Sequence, residues 1–191
     1  MQFDELSDEA KAHAIENERQ AWYGYFETRD LTEEFKWALE PLGFPTDDIA
    51  WSLSSCQGDG VAFYGDVDLA AYMKWKTPFG STPKAYDEEL EWLVSCKLVS
   101  NSNHYCHYNT MTVEVDFIDT HDDEYDYRVI INEIEAMVKD DIVSVSHALE
   151  KYGYSWLEGE SSDEAIAERL ANDDWWDYDE DGDRIAQTAV A

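Results

Sequence analysis

Met111-Thr112-Val113-Glu114-Val115-Asp116-Phe117 alternates apolar and polar side chains without a break. A period of two belongs to a β-strand with one face buried and the other in water. The run extends from Tyr105 to Ile118, and a second β-prone run, Trp92 to Val99, precedes it. Upstream, Ile49 to Cys56 and Val61 to Gly65 flank Gln57-Gly58-Asp59-Gly60, a turn signal that predicts a β-hairpin. Downstream, Ile130, Ile134, Met137, Val138, Val145, Leu149 and Tyr152 recur at helical spacing, and Gly153 predicts the helix end.

Shorter elements fill the remainder. Ser7 caps a first helix with Asp8 and Glu9 in its first turn, followed by Leu6, Ala10, His13, Ala14, Asn17 and Ala21 as its stripe. Trp22, Tyr23, Tyr25 and Phe26 form an aromatic cluster, read first as core and second as an anchor for a partner. Thr32 to Leu39 and residues 67 to 75 read as helices, and Pro78 to Pro83 as a loop. Residues 154 to 158 read as a strand. Ser161-Ser162-Asp163-Glu164 forms a capping box for a helix to about Ala171, and Trp175–Asp179 and Arg184–Gln187 flank a turn at 180–183. The expected architecture is α+β, a single domain over residues 1–191, with an antiparallel sheet of hairpins covered by helices. At 191 residues and 44% hydrophobic content the chain supports a real core.

The charge is the outlying property: 44 Asp and Glu against 13 Lys and Arg, a formal net charge of -31. Such a field repels nucleic acid and anionic membrane and leaves cations, basic proteins, or no partner at all in a salt-rich cytoplasm. No basic segment followed by an apolar run opens the sequence, and no long apolar stretch occurs, so neither export nor membrane insertion is expected. Three cysteines in a chain of this size fit a reducing compartment with free thiols.

The charge is also blocky. Leu98 to Tyr127 contains no Lys or Arg, yet holds Glu114, Asp116, Asp119, Asp122, Asp123, Glu124 and Asp126. Trp156 to Asp183 has Arg169 as its only base against a dozen carboxylates, among them Asp173, Asp174, Asp177, Asp179, Glu180, Asp181 and Asp183. A chain of this mass exposes roughly 9,000 Å², on the order of one net charge per 300 Å². B-DNA carries about one per 100 Å², taking a radius of about 10 Å. Only clustering on one face brings the protein into that range.

Two constellations carry competing chemistry. Cys56, Cys96, His104, Cys106 and His107 contain zinc-type ligands. On a regular strand, however, His104 and Cys106 share one face while His107 takes the other. No C-x2-C pair is present, so packing is preferred over a metal site or a Cys/His nucleophile, and no metal or cofactor is expected. Asp177-Tyr178-Asp179-Glu180-Asp181-Gly182 imitates the start of a calcium loop. Its twelfth position is Thr188, where such loops need a bidentate Glu, so a hairpin turn is preferred.

The stretches Phe3-Asp4-Glu5-Leu6-Ser7-Asp8-Glu9-Ala10-Lys11, Cys56-Gln57-Gly58-Asp59-Gly60-Val61-Ala62-Phe63-Tyr64-Gly65, His104-Tyr105-Cys106-His107-Tyr108-Asn109-Thr110-Met111-Thr112-Val113-Glu114 and Ser162-Asp163-Glu164-Ala165 resemble a family of small acidic bacteriophage proteins. The resemblance implies a phage origin and an accessory role in the cytoplasm of an infected bacterium. It brings no catalytic residues. With the charge, it leads to the expectation of a non-enzymatic inhibitor that imitates nucleic acid and binds a basic host protein, a nuclease or other defence component. The acidic blocks supply the field, Trp175 and Trp176 the anchors, and a homodimer would lengthen the surface. A metal- or thiol-dependent enzyme and an acidic accessory protein without mimicry are the alternatives.

Self-repulsion of this size gives a first prediction. The Debye length falls from ~30 Å at 0.01 M salt to ~10 Å at 0.1 M. The thermal unfolding midpoint is therefore expected to rise over that interval, and a flat or falling midpoint counts against a self-repelling fold.

Overall fold

The computed structural model describes residues 1–25, 28–76, 94–101, 105–118, 128–173 and 175–185, without the side chains of 22–25, 28 and 29. The aromatic cluster at 22–26 and the loop at 78–83 lie outside what is described. In chain order the elements are α1 (Asp8–Tyr25), α2 (Thr28–Leu39), β1 (Asp48–Ser52), β2 (Gly60–Asp66), α3 (Leu69–Lys76), β3 (Val94–Ser100), β4 (Met111–Phe117), α4 (Arg128–Glu160), α5 (Asp163–Ala171), β5 (Asp177–Tyr178) and β6 (Arg184–Ile185). The fold is α+β, as the alternation at 111–117 predicts. Two compact units can be distinguished, Arg29–Gly153 and the two chain ends Met1–Thr28 with Tyr154–Ala191.

The Arg29–Gly153 unit is built on a four-stranded antiparallel sheet in the order β1-β2-β3-β4. Its registers run from Asp48↔Tyr64 to Ser52↔Gly60 and from Val94↔Phe117 to Ser100↔Met111. Val94, Cys96 and Leu98 of β3 and Met111 and Val113 of β4 are buried, while Ser95, Lys97, Glu114 and Asp116 face water. Helix α4 covers the buried face with Ile134, Val138, Ile142, Val145 and Leu149. Its Ser146 Oγ donates to the Val61 carbonyl at 2.6 Å, a buried bond between helix and sheet. Helix α2 contributes Leu31, Phe35 and Leu39, an i, i+4, i+8 stripe with no exposed surface. Helix α3 is tied to α4 through Asp141, which accepts from Tyr72 Oη at 2.6 Å and Lys76 Nζ at 2.7 Å.

The second unit has its own core of Phe3, Leu6, Ala10, Ala14, Ile166, Leu170 and Tyr178. Ser7 caps α1 by accepting from Ala10 N at 3.2 Å, and Ser162 caps α5 by accepting from Ala165 N at 3.2 Å. The Ser7 cap falls where the sequence places it, whereas the α5 cap is one residue beyond the Ser161 that a capping box with Glu164 would use. His13 and Asn17, read as part of the buried stripe of α1, are exposed instead. Gly182 holds φ +91 in the β5–β6 turn, and a Cβ there would stand 2.2 Å from the Ala10 carbonyl oxygen.

Three expectations need correction. Gly153 does not end α4, which runs on to Glu160 through residues read as a strand. This glycine answers a packing need: an added Cβ would lie 2.5 Å from Leu53 Cδ1 and 3.0 Å from Phe35 Cζ. The strand expected from Tyr105 begins only at Met111. Its first part is taken by a 3-10 turn, Tyr108–Thr110, because Thr110 Oγ1 donates to the His107 carbonyl at 2.7 Å and Asn109 N donates to His107 Nδ1 at 3.1 Å. Helix α2 begins at Thr28, ahead of the expected Thr32.

Two variants probe the two units. Gly182→Ala forces an alanine into a left-handed, crowded turn and is expected to cost ~1–3 kcal/mol. Ser146→Ala orphans a buried carbonyl and is expected to cost ~1–3 kcal/mol. Urea unfolding with one transition, displaced by both variants, is the outcome for a single cooperative domain. Two transitions, each moved by one variant, mean two folding units.

Candidate partner-binding surface

The 175–185 hairpin is short, so contacts distant in sequence hold it. Tyr178 N donates to the Met1 carbonyl at 2.8 Å, and the Met1 ammonium donates to the Tyr178 carbonyl at 3.0 Å. The N-terminus thereby lies alongside β5. Gln2 Nε2 donates to Asp177 Oδ1 at 3.1 Å. His13 Nε2 lies 3.0 Å from Asp183 Oδ1, and Asn17 Nδ2 donates to the same oxygen at 3.0 Å. Asp179 Oδ1 turns back on its own loop and accepts from Asp181 N at 3.0 Å and Asp183 N at 2.9 Å. A carboxylate oxygen engaged by two backbone N–H groups makes a hairpin turn, the reading preferred from the sequence.

The expected site residues of this stretch therefore divide by role. Asp177, Asp179 and Asp183 shape the hairpin, and Asp173 Oδ1 accepts from Trp175 N at 3.0 Å. Glu180 and Asp181 sit exposed at the tip, and neither side chain pairs with another described residue. Trp175 is 82% exposed, the most exposed large apolar side chain among the described residues. Trp176 differs: the Arg184 guanidinium lies over its ring at 5.3 Å, and Arg184 also pairs with Glu18 at 2.8 Å. Asp174 lies outside the described residues.

In the other unit, Glu114 and Asp116 stand exposed on β4, with Lys97 and Ser95 as their cross-strand neighbours. Asp119, Asp122, Asp123, Glu124 and Asp126 lie outside the described residues. Sequence reasoning missed Met1, Gln2, His13, Asn17 and Arg184, which orient the hairpin. Their partners are far along the chain, and no local pattern marks them.

The thiols occupy a different surface. Asp59 organises the β1–β2 turn by accepting from Ser52 Oγ at 2.9 Å, Ser54 N at 2.7 Å and Cys56 N at 3.0 Å. Gly60 holds φ +150 and presses on the 105–107 segment, since a Cβ there would meet the Cys106 carbonyl oxygen at 2.7 Å. Tyr105 stacks on His107, with ring centroids 5.9 Å apart, and Tyr108 meets His147 edge-on at 4.8 Å. Because residues 105–107 are not a strand, the parity argument that divided the histidines does not hold, and His104 lies outside the described residues. Among the described residues no three His, Cys, Asp or Glu side chains are grouped to hold a metal ion. Burial, with Glu135 nearby, pushes the Cys96 thiol up to about 12. Burial and then Asp59 raise Cys106. The thiolate is the nucleophilic and metal-binding form, so Cys96 is inert at neutral pH and Cys106 is less reactive than a free thiol.

Among the described residues no helix is long and apolar enough to cross a membrane. Comparison of the chain with models of protein families, with curated proteins and with solved structures finds no match.

The raised thiols have a consequence for stability. Cys96 ionises near 9.0 ordinarily and near 12 in the fold, so the folded state keeps its proton longer than the unfolded chain does. Its contribution is complete below about pH 9 and is lost as pH climbs toward 12. Stability is expected to fall over this window with a slope of up to ~1.4 kcal/mol per pH unit from this group. Cys96→Ala, though less stable at pH 7, is expected to show a shallower fall. An equal slope in the variant would mean that Cys96 ionises as readily in the fold as in the unfolded chain.

Proposed function

We propose that the chain works without catalysis, as a phage-encoded acidic protein that occupies the nucleic-acid-binding surface of a basic host protein in the bacterial cytoplasm. The partner is a nuclease or another nucleic-acid-handling component of host defence. The carrying observation is the 175–185 hairpin, where Glu180, Asp181 and the 82% exposed Trp175 stand in water while Arg184 is taken up by Glu18 and Trp176. A surface with uncompensated negative charge and a protruding ring steers toward a positive patch and offers it a desolvated anchor. The exposed Glu114 and Asp116 of β4 supply a second acidic stretch in the other unit. Direct nucleic-acid or membrane binding is disfavoured by the same field. The high-pKa Cys96 and Cys106 thiols weigh against the thiol-enzyme alternative.

The test is a pull-down from bacterial lysate at low and high salt, with added DNA or RNA as competitor. Nucleic-acid-binding proteins are expected on the wild-type bait, released by competitor and by salt. Glu180→Gln/Asp181→Asn and Glu114→Gln/Asp116→Asn are each expected to reduce capture, and their combination to reduce it at least tenfold. A control with Asp48, Glu133, Glu158 and Glu168 neutralised is expected to stay near wild type. If the two quadruple variants capture equally, the charge serves solubility alone.

A further inference from the structure

Trp175 is the feature that folding leaves unexplained. Its backbone is held by Asp173 at 3.0 Å, yet its indole is 82% exposed, whereas the adjacent Trp176 is 38% exposed beneath Arg184. A large aromatic surface left in water at a fixed position marks a contact site, because its burial is a strong driving force for association. Charge selects the occupant. A second copy of this chain would bring the same carboxylates, each copy carrying a net -31, and an anionic membrane would be repelled in the same way. A basic protein remains.

The ring narrows the class further. Groove readers of a duplex contact phosphates and the edges of bases that stay stacked inside the helix, and so do not stack on the face of a projecting ring. Proteins that bind single strands line a positive groove with aromatic side chains on which unstacked bases lie. The same hairpin segment carries a bare indole at Trp175 and exposed carboxylates at Glu180 and Asp181, the two chemical features such a groove recognises in a single strand. Resting on the mimicry reading above, we propose that Trp175 acts as a base surrogate: it docks on the stacking platform of a single-stranded-nucleic-acid-binding protein while the unpaired Glu180 and Asp181 at the hairpin tip meet the basic groove that tracks phosphates.

The full chain is titrated against two purified basic probes, a single-strand-binding OB-fold domain and a duplex-binding helix-turn-helix domain, at 0.05 M and 0.3 M salt. The expected result is salt-sensitive binding to the OB-fold domain, displaced by an oligo-dT strand. Trp175→Ala is expected to weaken it at least tenfold, Trp175→Phe about threefold or less, and Glu180→Gln/Asp181→Asn severalfold. An unchanged circular dichroism spectrum confirms that the variants are folded. Equal or tighter binding to the helix-turn-helix domain, weakened by the charge variant and untouched by Trp175→Ala, overturns the single-strand inference and leaves the mimicry reading standing. No charge-dependent binding to either probe overturns both. Sedimentation showing a dimer that Trp175→Ala dissociates also overturns the inference, because the ring would then serve self-association.

Discussion

With 44 acidic side chains against 13 basic ones, the fold must hold together within its own repulsive field. The few cations are placed accordingly. Arg19 pairs with Glu16 and Asp163, Lys36 with Glu33, Lys139 with Glu135, Arg169 with Glu160 and Arg184 with Glu18. Exposed pairs of this kind contribute little individually. The exception is Asp141, a buried carboxylate between α3 and α4 that accepts from both Lys76 and Tyr72. A buried charge without partners is strongly destabilising, so this site ties the position of α3 to the helix that covers the sheet.

That use of the cations shapes the functional surface. Arg184, the one basic residue of the 175–185 hairpin, turns to Glu18 and the Trp176 ring, so the tip at Glu180 and Asp181 stays negative. The hairpin is also positioned rather than loose. Met1 pairs with β5, Gly182 packs on α1, and His13 and Asn17 hold Asp183. Rigid presentation matters for a binding role, since less ordering entropy is lost on association.

The thiol and histidine residues describe the opposite case. Their types invite a chemical reading, but Cys96 is part of the sheet's buried face and Cys106 and His107 belong to a segment packed against the Asp59-centred turn. Residue type suggested the chemistry, and burial opposes it by disfavouring the thiolate.

The sequence by itself determined what depends on neighbours within a turn or two. The alternation at Met111–Phe117, the cap at Ser7, the stripe of α4 and the Gly182 turn were legible because each is a local pattern. It also determined the sign and blockiness of the charge. Only the tertiary structure decided that Gly153 lies inside a helix, that His13 meets Asp183 although 170 residues separate them, and that of two adjacent tryptophans one lies partly under Arg184 and one is bare. The physical reason is that backbone periodicity and capping are short-range, whereas packing, burial and the pairing of scarce cations are set by groups brought together from distant parts of the chain.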